Sequence, residues 1–369
     1  MKVLFLSGRE ITYQRNQVIY RAFKRLGLDV ITWAQDPLFT SQRISILRRS
    51  ILQTLWAAPR VTQREQFDFI FIGFYGQLLA WWLGRVAQSP ILFDAFISTF
   101  NTMCFDRHVF APNSLGGRFT YWLDQKSCNL ANKILLDTPE HACYFAEVLQ
   151  IPSSKIEVIP VGCNEDIFYP KGRRVEEQSK KCIVLFYSTY QPLHGADIVV
   201  RAAEILERRS KDFVFRLVGD GPTHKKVRAY AEYKSLSNVT FVPPLPLPNL
   251  VHEIEKSDIC LGGHFGRSPK ADLVVPGKIY QILAMGKPLI AADTPPNRRI
   301  LTNYQHALLC PVDDPLSLAD SIETLWKDRD LRCEIARSGY TRYYECCSEN
   351  VITNKVKTIV NRLLKSNND

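Results

Sequence analysis

The chain lacks a run of the roughly 20 apolar residues that a spanning helix needs. Its longest apolar stretch, Phe69 to Gly84, is interrupted by Gln77 and three glycines. The first one, Val3 to Leu6, is far too short for a signal peptide and reads as a strand ending at Ser7-Gly8-Arg9. Ten cysteines include no Cys-x-x-Cys pair and no Cys/His spacing of a zinc site, so reduced thiols and no metal are expected. Repeats and low-complexity tracts are absent too, which excludes solenoids and fibrous arrays. The basic residues are not interleaved with an aromatic or helix-turn-helix module, so no nucleic-acid partner is expected.

What is present is the composition of a soluble globular protein, 46% hydrophobic and 23% charged. At 369 residues it is too long for one ordinary core, which makes two domains the expectation. The net charge of +10 is uneven: residues 1–60 hold ten Lys or Arg against Glu10, Asp29 and Asp36. That region is suited to an anionic partner, whether a membrane surface, a nucleic acid or a substrate.

Short apolar strands alternate with helical patterns, the signature of parallel sheets with helices on both faces. The pattern predicts strands at Lys2–Leu6, Asp29–Thr32, Phe67–Ile72, Ile91–Asp94, Lys133–Asp137 and Ile156–Ile159. A polar stretch, Pro170 to Lys181, reads as a linker. Alternation resumes at Cys182–Ser188, Phe213–Gly219, Val239–Val242, Asp258–Gly263 and Pro288–Ala292. The expected organisation is residues 1–168, a linker 169–181, residues 182–344, and a final helix within 345–369 that crosses back to the N-terminal domain.

The densest chemistry lies in Gly262 to Asp293, a strand-loop-helix-strand unit. Pro276 suits a helix start, where the first N–H groups have no internal partner, and Gly286 suits its end. Lys278 falls in the first turn, where the macrodipole disfavours a bare ammonium by about 0.3–1 kcal/mol. A bound phosphate reverses that sign, and His264, Arg267 and Lys270 on the preceding loop point to the same anion. A lysine turned to water stands beside this as the plain alternative.

Ligands of open α/β sheets bind beyond the carboxyl ends of the strands. The corresponding loops carry His194-Gly195 before a helix near Asp197, and Gly219-Asp220-Gly221-Pro222 before another. A glycine turn admits a ligand close to backbone, and it is also ordinary turn chemistry. The Pro243 to Pro248 stretch is either a stiff platform for a base or a rigid connector.

Together these motifs resemble the retaining glycosyltransferases of family 4: VIPVGCNEDIFYP (158–170), HGADIVVRAAEIL (194–206), LVGDGP (217–222), NVTFV (238–242) and VPGKIYQILAMGKPLIAAD (275–293). The resemblance covers nearly the whole chain. It implies the GT-B fold, two Rossmann-like domains with parallel sheets facing across a cleft. It also implies a nucleotide-diphosphate sugar as co-substrate in the C-terminal domain, an acceptor in the N-terminal domain, and no obligatory metal or further cofactor. The family's two glutamates spaced by seven are replaced by Leu273, with Asp272 adjacent, and Gln281, and its lysine before glycine is here His194.

On that resemblance Lys278 and His194 are the expected catalytic residues, His194 either as a cation or as a neutral N–H donor, with Asp94 at the strand-end position where many relatives have a histidine. The donor set is Tyr190, Gly195, Gly219, Asp220, Gly221, Pro222, Val242, Pro243, His264, Gly266, Arg267, Lys270 and Gln281. The acceptor set is Arg9, Tyr13, Arg15, Asn16, Asn101 and Arg107. Local readings remain open beside these: Asp94 capping a turn or pairing with Arg107, and Arg15 as the exposed start of a helix. Ser41 to Trp56 sets Ile44, Leu47, Ile51 and Leu55 at helical spacing beside Arg43, Arg48 and Arg49. That basic amphipathic helix either lies on an anionic membrane or packs on its own sheet. The expected activity is retaining sugar transfer to a glycan or lipid-linked acceptor in surface polysaccharide or glycolipid synthesis, in the cytoplasm or on the inner face of the cell membrane. A nucleotide-sugar epimerase and a non-catalytic sugar-nucleotide-binding protein stand as alternatives.

Overall fold

The computed structural model describes residues 1–8, 12–33, 66–171 and 181–365. Arg9 and Ser41–Trp56 therefore lie outside the described residues, as does most of the stretch that reads as a linker. The chain divides into two compact units, residues 1–162 with 349–369, and residues 163–348.

In the first unit, β1 (Lys2–Ser7), β2 (Asp29–Trp33), β3 (Phe69–Gly73), β4 (Ile91–Asp94), β5 (Lys133–Leu136) and β6 (Ile156–Val158) form one parallel sheet in the order β2-β1-β3-β4-β5-β6. Strands such as LFL in β1 and FIFI in β3 are apolar without alternation because helices cover both faces. One face carries α1 (Gln14–Arg25); α2 (Gln77–Leu83), α3 (Leu115–Leu130) and α4 (Pro139–Glu147) are the unit's longer helices between β3 and β6, with short helical turns at Thr99–Asn101, Thr102–Asp106 and Ser153–Lys155. Gly27 ends α1 in the left-handed region (φ 73°), and the N–H of Leu28 reaches the Phe23 carbonyl at 3.1 Å, closing a Schellman turn.

The second unit repeats the plan with β7 (Cys182–Ser188), α5 (Ala196–Arg209), β8 (Phe213–Gly219), α6 (His224–Tyr233), β9 (Val239–Val242), α7 (Leu247–Lys256), β10 (Ile259–Gly263), α8 (Gly277–Ala284), β11 (Leu289–Ala292), α9 (Pro295–Ile300), β12 (Leu308–Cys310), α10 (Pro315–Lys327) and α11 (Arg329–Cys347). Its sheet is parallel in the order β12-β11-β10-β7-β8-β9. The edge strand β12 has no counterpart in the sequence reading, because Leu-Leu-Cys is too short a run to show a period. The Pro-rich stretch is not all connector: Pro246 is the N-cap of α7, and Leu247 and Pro248 are already helical.

The last helix, α12 (Glu349–Lys365), belongs to the first unit. Its Ile352, Val356, Ile359, Val360 and Leu363 share a core with Val18, Ile19 and Phe23 of α1. Glu349, buried at its start, accepts from Arg21 at 2.7 Å and also pairs with Arg25. Among the described residues no helix is long and apolar enough to cross a membrane.

Candidate functional site

In the second unit the chain leaves β7 for β8 and β9 on one side of the sheet, then returns to lay β10, β11 and β12 on the other. The carboxyl ends of β7 and β10 are therefore the topological switch point, the place at which ligands of open α/β sheets bind. The loops after these two strands are stitched together. Phe265 donates its N–H to the His194 carbonyl at 3.4 Å and Gly266 donates to the Leu193 carbonyl at 3.1 Å. Gly195 sits in the left-handed region (φ 69°), and a Cβ there would lie 2.5 Å from the Gly266 nitrogen. The close crossing of backbones requires a residue without a side chain.

Lys278 lies in the first turn of α8, whose N-cap is Pro276. The residue is only 9% exposed, and its Nζ makes no hydrogen bond. The ammonium rests over the Phe186 ring at 4.3 Å from the centroid, with Tyr187 at 5.7 Å. Burial lowers its pKa to about 7. A buried cation without a partner at the positive end of a helix is costly, so the arrangement is one that an anion relieves.

Two imidazoles lie near it. The His194 and His264 rings stack 5.4 Å apart at an interplanar angle of 16°. Burial, and then the neighbouring cations Lys278 and Lys270, hold the His194 ring well below the usual imidazole range. Burial, His194 and the same lysines do so for His264. His194 Nδ1 accepts the Gln191 N–H at 3.3 Å, which leaves Nε2 as the protonated nitrogen of the neutral ring. His264 Nδ1 is buried and makes no hydrogen bond. Among the described residues no carboxylate forms an ion pair with Lys278. The group has the donors of an anion site without an internal anion.

One turn further along α8, Gln281 Oε1 accepts from the Tyr187 hydroxyl at 2.8 Å. That amide is therefore oriented from below by a strand residue that sequence reasoning missed. Phe186 was missed too; the signal available was an aromatic pair closing the central strand of the unit, on the side where ligands bind. At the end of β8, Gly219 and Gly221 have φ of 125° and 156°, and a Cβ at either would stand 1.9 Å from the carbonyl oxygen of Ser188 or Thr189. These glycines serve the packing of β8's end onto β7's. Asp220 between them is exposed, accepts the Gly221 N–H at 2.7 Å and faces His224 at 3.4 Å.

Several donor candidates lie elsewhere. Tyr190 is fully buried with its ring edge-on to His224 at 4.8 Å, and its carbonyl accepts from the N–H and hydroxyl of Thr223 at 3.1 and 2.8 Å. Its backbone anchors the loop, and its hydroxyl is buried without a hydrogen-bond partner. Val242 ends the edge strand β9, two strands from β7, and Pro243 follows it. Pro222 and Arg267 are exposed, whereas Lys270, half-buried, is one of the cations beside His194 and His264.

In the first unit the switch point lies between β1 and β3. Gly8 closes on the Tyr75 carbonyl, where a Cβ would stand 1.9 Å away, and Tyr13 stacks on Phe74 at 3.7 Å with 4° between rings. Asn16 is fully buried, donating to Ser7 Oγ at 2.8 Å and accepting the Phe74 N–H at 3.1 Å. It ties the two strand ends together and corrects the expectation of an acceptor contact. Arg15 and Asp94 need the same correction. Their side chains are 0% exposed and paired, Nη2 to Oδ1 at 3.0 Å, with Arg15 Nη1 donating to the Ile159 carbonyl at 2.6 Å. Burial raises the Asp94 carboxyl while the guanidinium pulls it down. In this structure the two groups satisfy each other, and Arg15 is no exposed helix start. Asp137 and His141 form a second buried pair at 2.8 Å. Asn101 is buried at the turn capped by Ser98, whereas Arg107 is exposed. No group of three or more metal-binding side chains occurs among the described residues.

Residues 171–342 match the family model described as glycosyl transferases group 1. A D-inositol 3-phosphate glycosyltransferase of Nocardia farcinica is 27% identical over 54% of this chain and 46% of its own length. The chain spans about half the length of the first curated relatives it matches. Among solved structures it is similar to sucrose-phosphate synthase from Thermosynechococcus elongatus, with a TM-score of 0.76 and 15% identity over 99% of each chain. It is also similar to Anabaena HepE in complex with UDP-glucose, at a TM-score of 0.74 and 15% identity over 98% of this chain and 100% of that one. The likeness to the solved structures is one of fold, the two Rossmann-like units of GT-B proteins.

Proposed function

We propose that this chain, with its match to group 1 glycosyl transferases over residues 171–342 and its GT-B fold, is a glycosyltransferase that takes its sugar from a nucleoside diphosphate donor. The observation that carries the reading is Lys278: a buried ammonium with no hydrogen-bond partner, at a helix start, on the switch point of its sheet. The diphosphate is the anion that this place suits. Lys278 takes its charge, His194 Nε2 and His264 donate to its oxygens, and Lys270 adds field from the loop. As the bond from the anomeric carbon to the diphosphate oxygen lengthens, negative charge grows on that oxygen. Preorganised cations and N–H donors then stabilise the transition state more than the ground state. The acceptor oxygen forms the new bond to the anomeric carbon, and its proton leaves with the diphosphate.

Retention of configuration and a glycan or lipid-linked acceptor belong to the same proposal, supported by the resemblance of the motifs. The first unit is the proposed acceptor side through Tyr13, Arg9 and the loops after β1 and β3. Membrane contact through Ser41–Trp56 rests on that segment's basic, amphipathic sequence. Because HepE is named in complex with UDP-glucose, uridine diphosphate sugars are the first donors to try. The test is thermal-shift screening against nucleotide sugars, followed by product analysis with an acceptor panel and NMR of the new anomeric centre. Stabilisation by a nucleotide sugar with transfer to an acceptor supports the proposal. Interconversion of the free nucleotide sugar would replace it with an epimerase, and stabilisation without turnover would replace it with a binding protein.

A further inference from the structure

Between residues 76 and 126 the first unit presents an apolar surface with charge of one sign. Leu115, Phe119 and Val109 are 86%, 53% and 56% exposed, and Trp82 and Phe110 are exposed as well. Ring contacts connect Phe119 to Trp82 through Trp122 and Trp81. Phe110 packs over Gly116 next to Leu115, Phe119 lies 5.8 Å from Trp122, and Trp122 lies 5.6 Å from Trp81, the neighbour of Trp82. On α3 the outward positions Leu115, Arg118, Phe119, Trp122 and Lys126 recur at helical spacing, so the stripe is a designed face of the helix and not a scatter of single exposed residues.

The charges in this span are sorted. Its acids are Asp94, Asp106 and Asp124, and all three are buried. Asp94 is held by Arg15, and Asp124 accepts from Ser98 Oγ at 2.7 Å and the Phe100 N–H at 2.8 Å. Its Lys and Arg residues, Arg85, Arg107, Arg118 and Lys126, are all exposed. The Arg85 guanidinium carbon stands 4.0 Å from the centroid of the Trp81 ring, and its Nη1 donates to the Trp81 carbonyl at 2.9 Å.

We propose that this face of the first unit docks the protein on an anionic lipid surface. Aromatic and aliphatic side chains enter the headgroup boundary, and the cations meet lipid phosphates around them. A second copy of the chain is the poorer occupant, since a two-fold contact would bring two faces of the same positive sign together. Residues 34–65 suit the face no better, with five arginines against Asp36 and Glu65. The inference uses neither Ser41–Trp56 nor the site around Lys278.

The test is sedimentation of the full chain with vesicles of phosphatidylcholine, alone or with phosphatidylglycerol. Leu115→Ser/Phe119→Ser removes apolar surface, and Arg118→Glu/Lys126→Glu reverses charge at exposed positions that carry no core. Wild type is expected to sediment with the anionic vesicles, and each double variant to partition at least about tenfold less while keeping its thermal midpoint. Unchanged partitioning of both variants, or no binding by the wild type, overturns the proposal. So does a concentration-dependent dimer in light scattering that Leu115→Ser/Phe119→Ser abolishes, because the face would then belong to a second copy.

Discussion

Arg15 and Asp94 face each other 3.0 Å apart with both side chains wholly withdrawn from solvent, although 79 positions separate them in the chain. The pair joins the start of α1 to the end of β4 beneath the switch point of the first sheet. Asp94→Ala leaves a buried guanidinium without its carboxylate, and it is expected to cost about 3–5 kcal/mol. A thermal-unfolding scan should show a fall in midpoint of roughly 6 °C or more. A residue that touched the donor sugar would behave otherwise: Asp94→Asn would lower turnover and leave the midpoint unchanged.

Lys278 couples stability to pH. Its pKa is about 7 in the folded protein against 10.5 for the ordinary group, so the folded state disfavours the charged form. That penalty is full below pH 7 and is relieved as pH rises from 7 toward 10.5. Lys278→Met, which fills similar volume without charge, is expected to raise the thermal midpoint by roughly 3 °C or more at pH 6–7. The gain should shrink toward pH 10. An equal gain at every pH would separate the effect from charge.

The same group sets the pH dependence of binding. An anion beside Lys278 raises its pKa in the complex, so association takes up a proton wherever the lysine of the unbound protein is neutral. Affinity for a nucleoside diphosphate is expected to be flat just below pH 7 and to fall by up to about tenfold per unit above it. The ligand's own phosphate has already ionised there. Calorimetry in buffers of different ionisation enthalpy should give about one proton taken up at pH 8.

Gly195 is tested by Gly195→Ala. The added methyl must sit 2.5 Å from the Gly266 nitrogen, in a backbone conformation that alanine disfavours. The loops after β7 and β10 then part, and His194 and His264 lose their stack. Nucleotide-sugar binding is expected to weaken about tenfold or more, with a stability loss of roughly 1–3 kcal/mol. Unchanged affinity in a titration would separate the loop crossing from the site.

Much of the fold was legible because buried parallel strands are unbroken apolar runs. β4, β7, β8 and β9 begin and end where the pattern sets them, and the short β12 escaped because three residues carry no period. The first-turn place of Lys278 was legible from Pro276 and Gly286. The burial of its side chain against Phe186 was not, since cation and ring meet only through the tertiary packing of α8 on β7. Tyr190 looked like a ligand residue from its position after β7, yet its backbone, at φ 46°, accompanies a ring turned into the core. Arg15 and Asp94 were misread for a related reason: sequence shows two strand-end polar residues and gives no sign that they neutralise each other.

The most direct measurement is a calorimetric titration of uridine diphosphate and of uridine into the wild type and into Lys278→Met at pH 7. The wild type is expected to bind the diphosphate and hardly the nucleoside, and Lys278→Met to lose about 2 kcal/mol or more of diphosphate binding while keeping a raised thermal midpoint. If guanosine or thymidine diphosphate binds in place of the uridine compound, the same comparison is made with it. Equal binding of diphosphate to both proteins, or no binding of any nucleoside diphosphate to the wild type, contradicts the assignment of Lys278 to a diphosphate site.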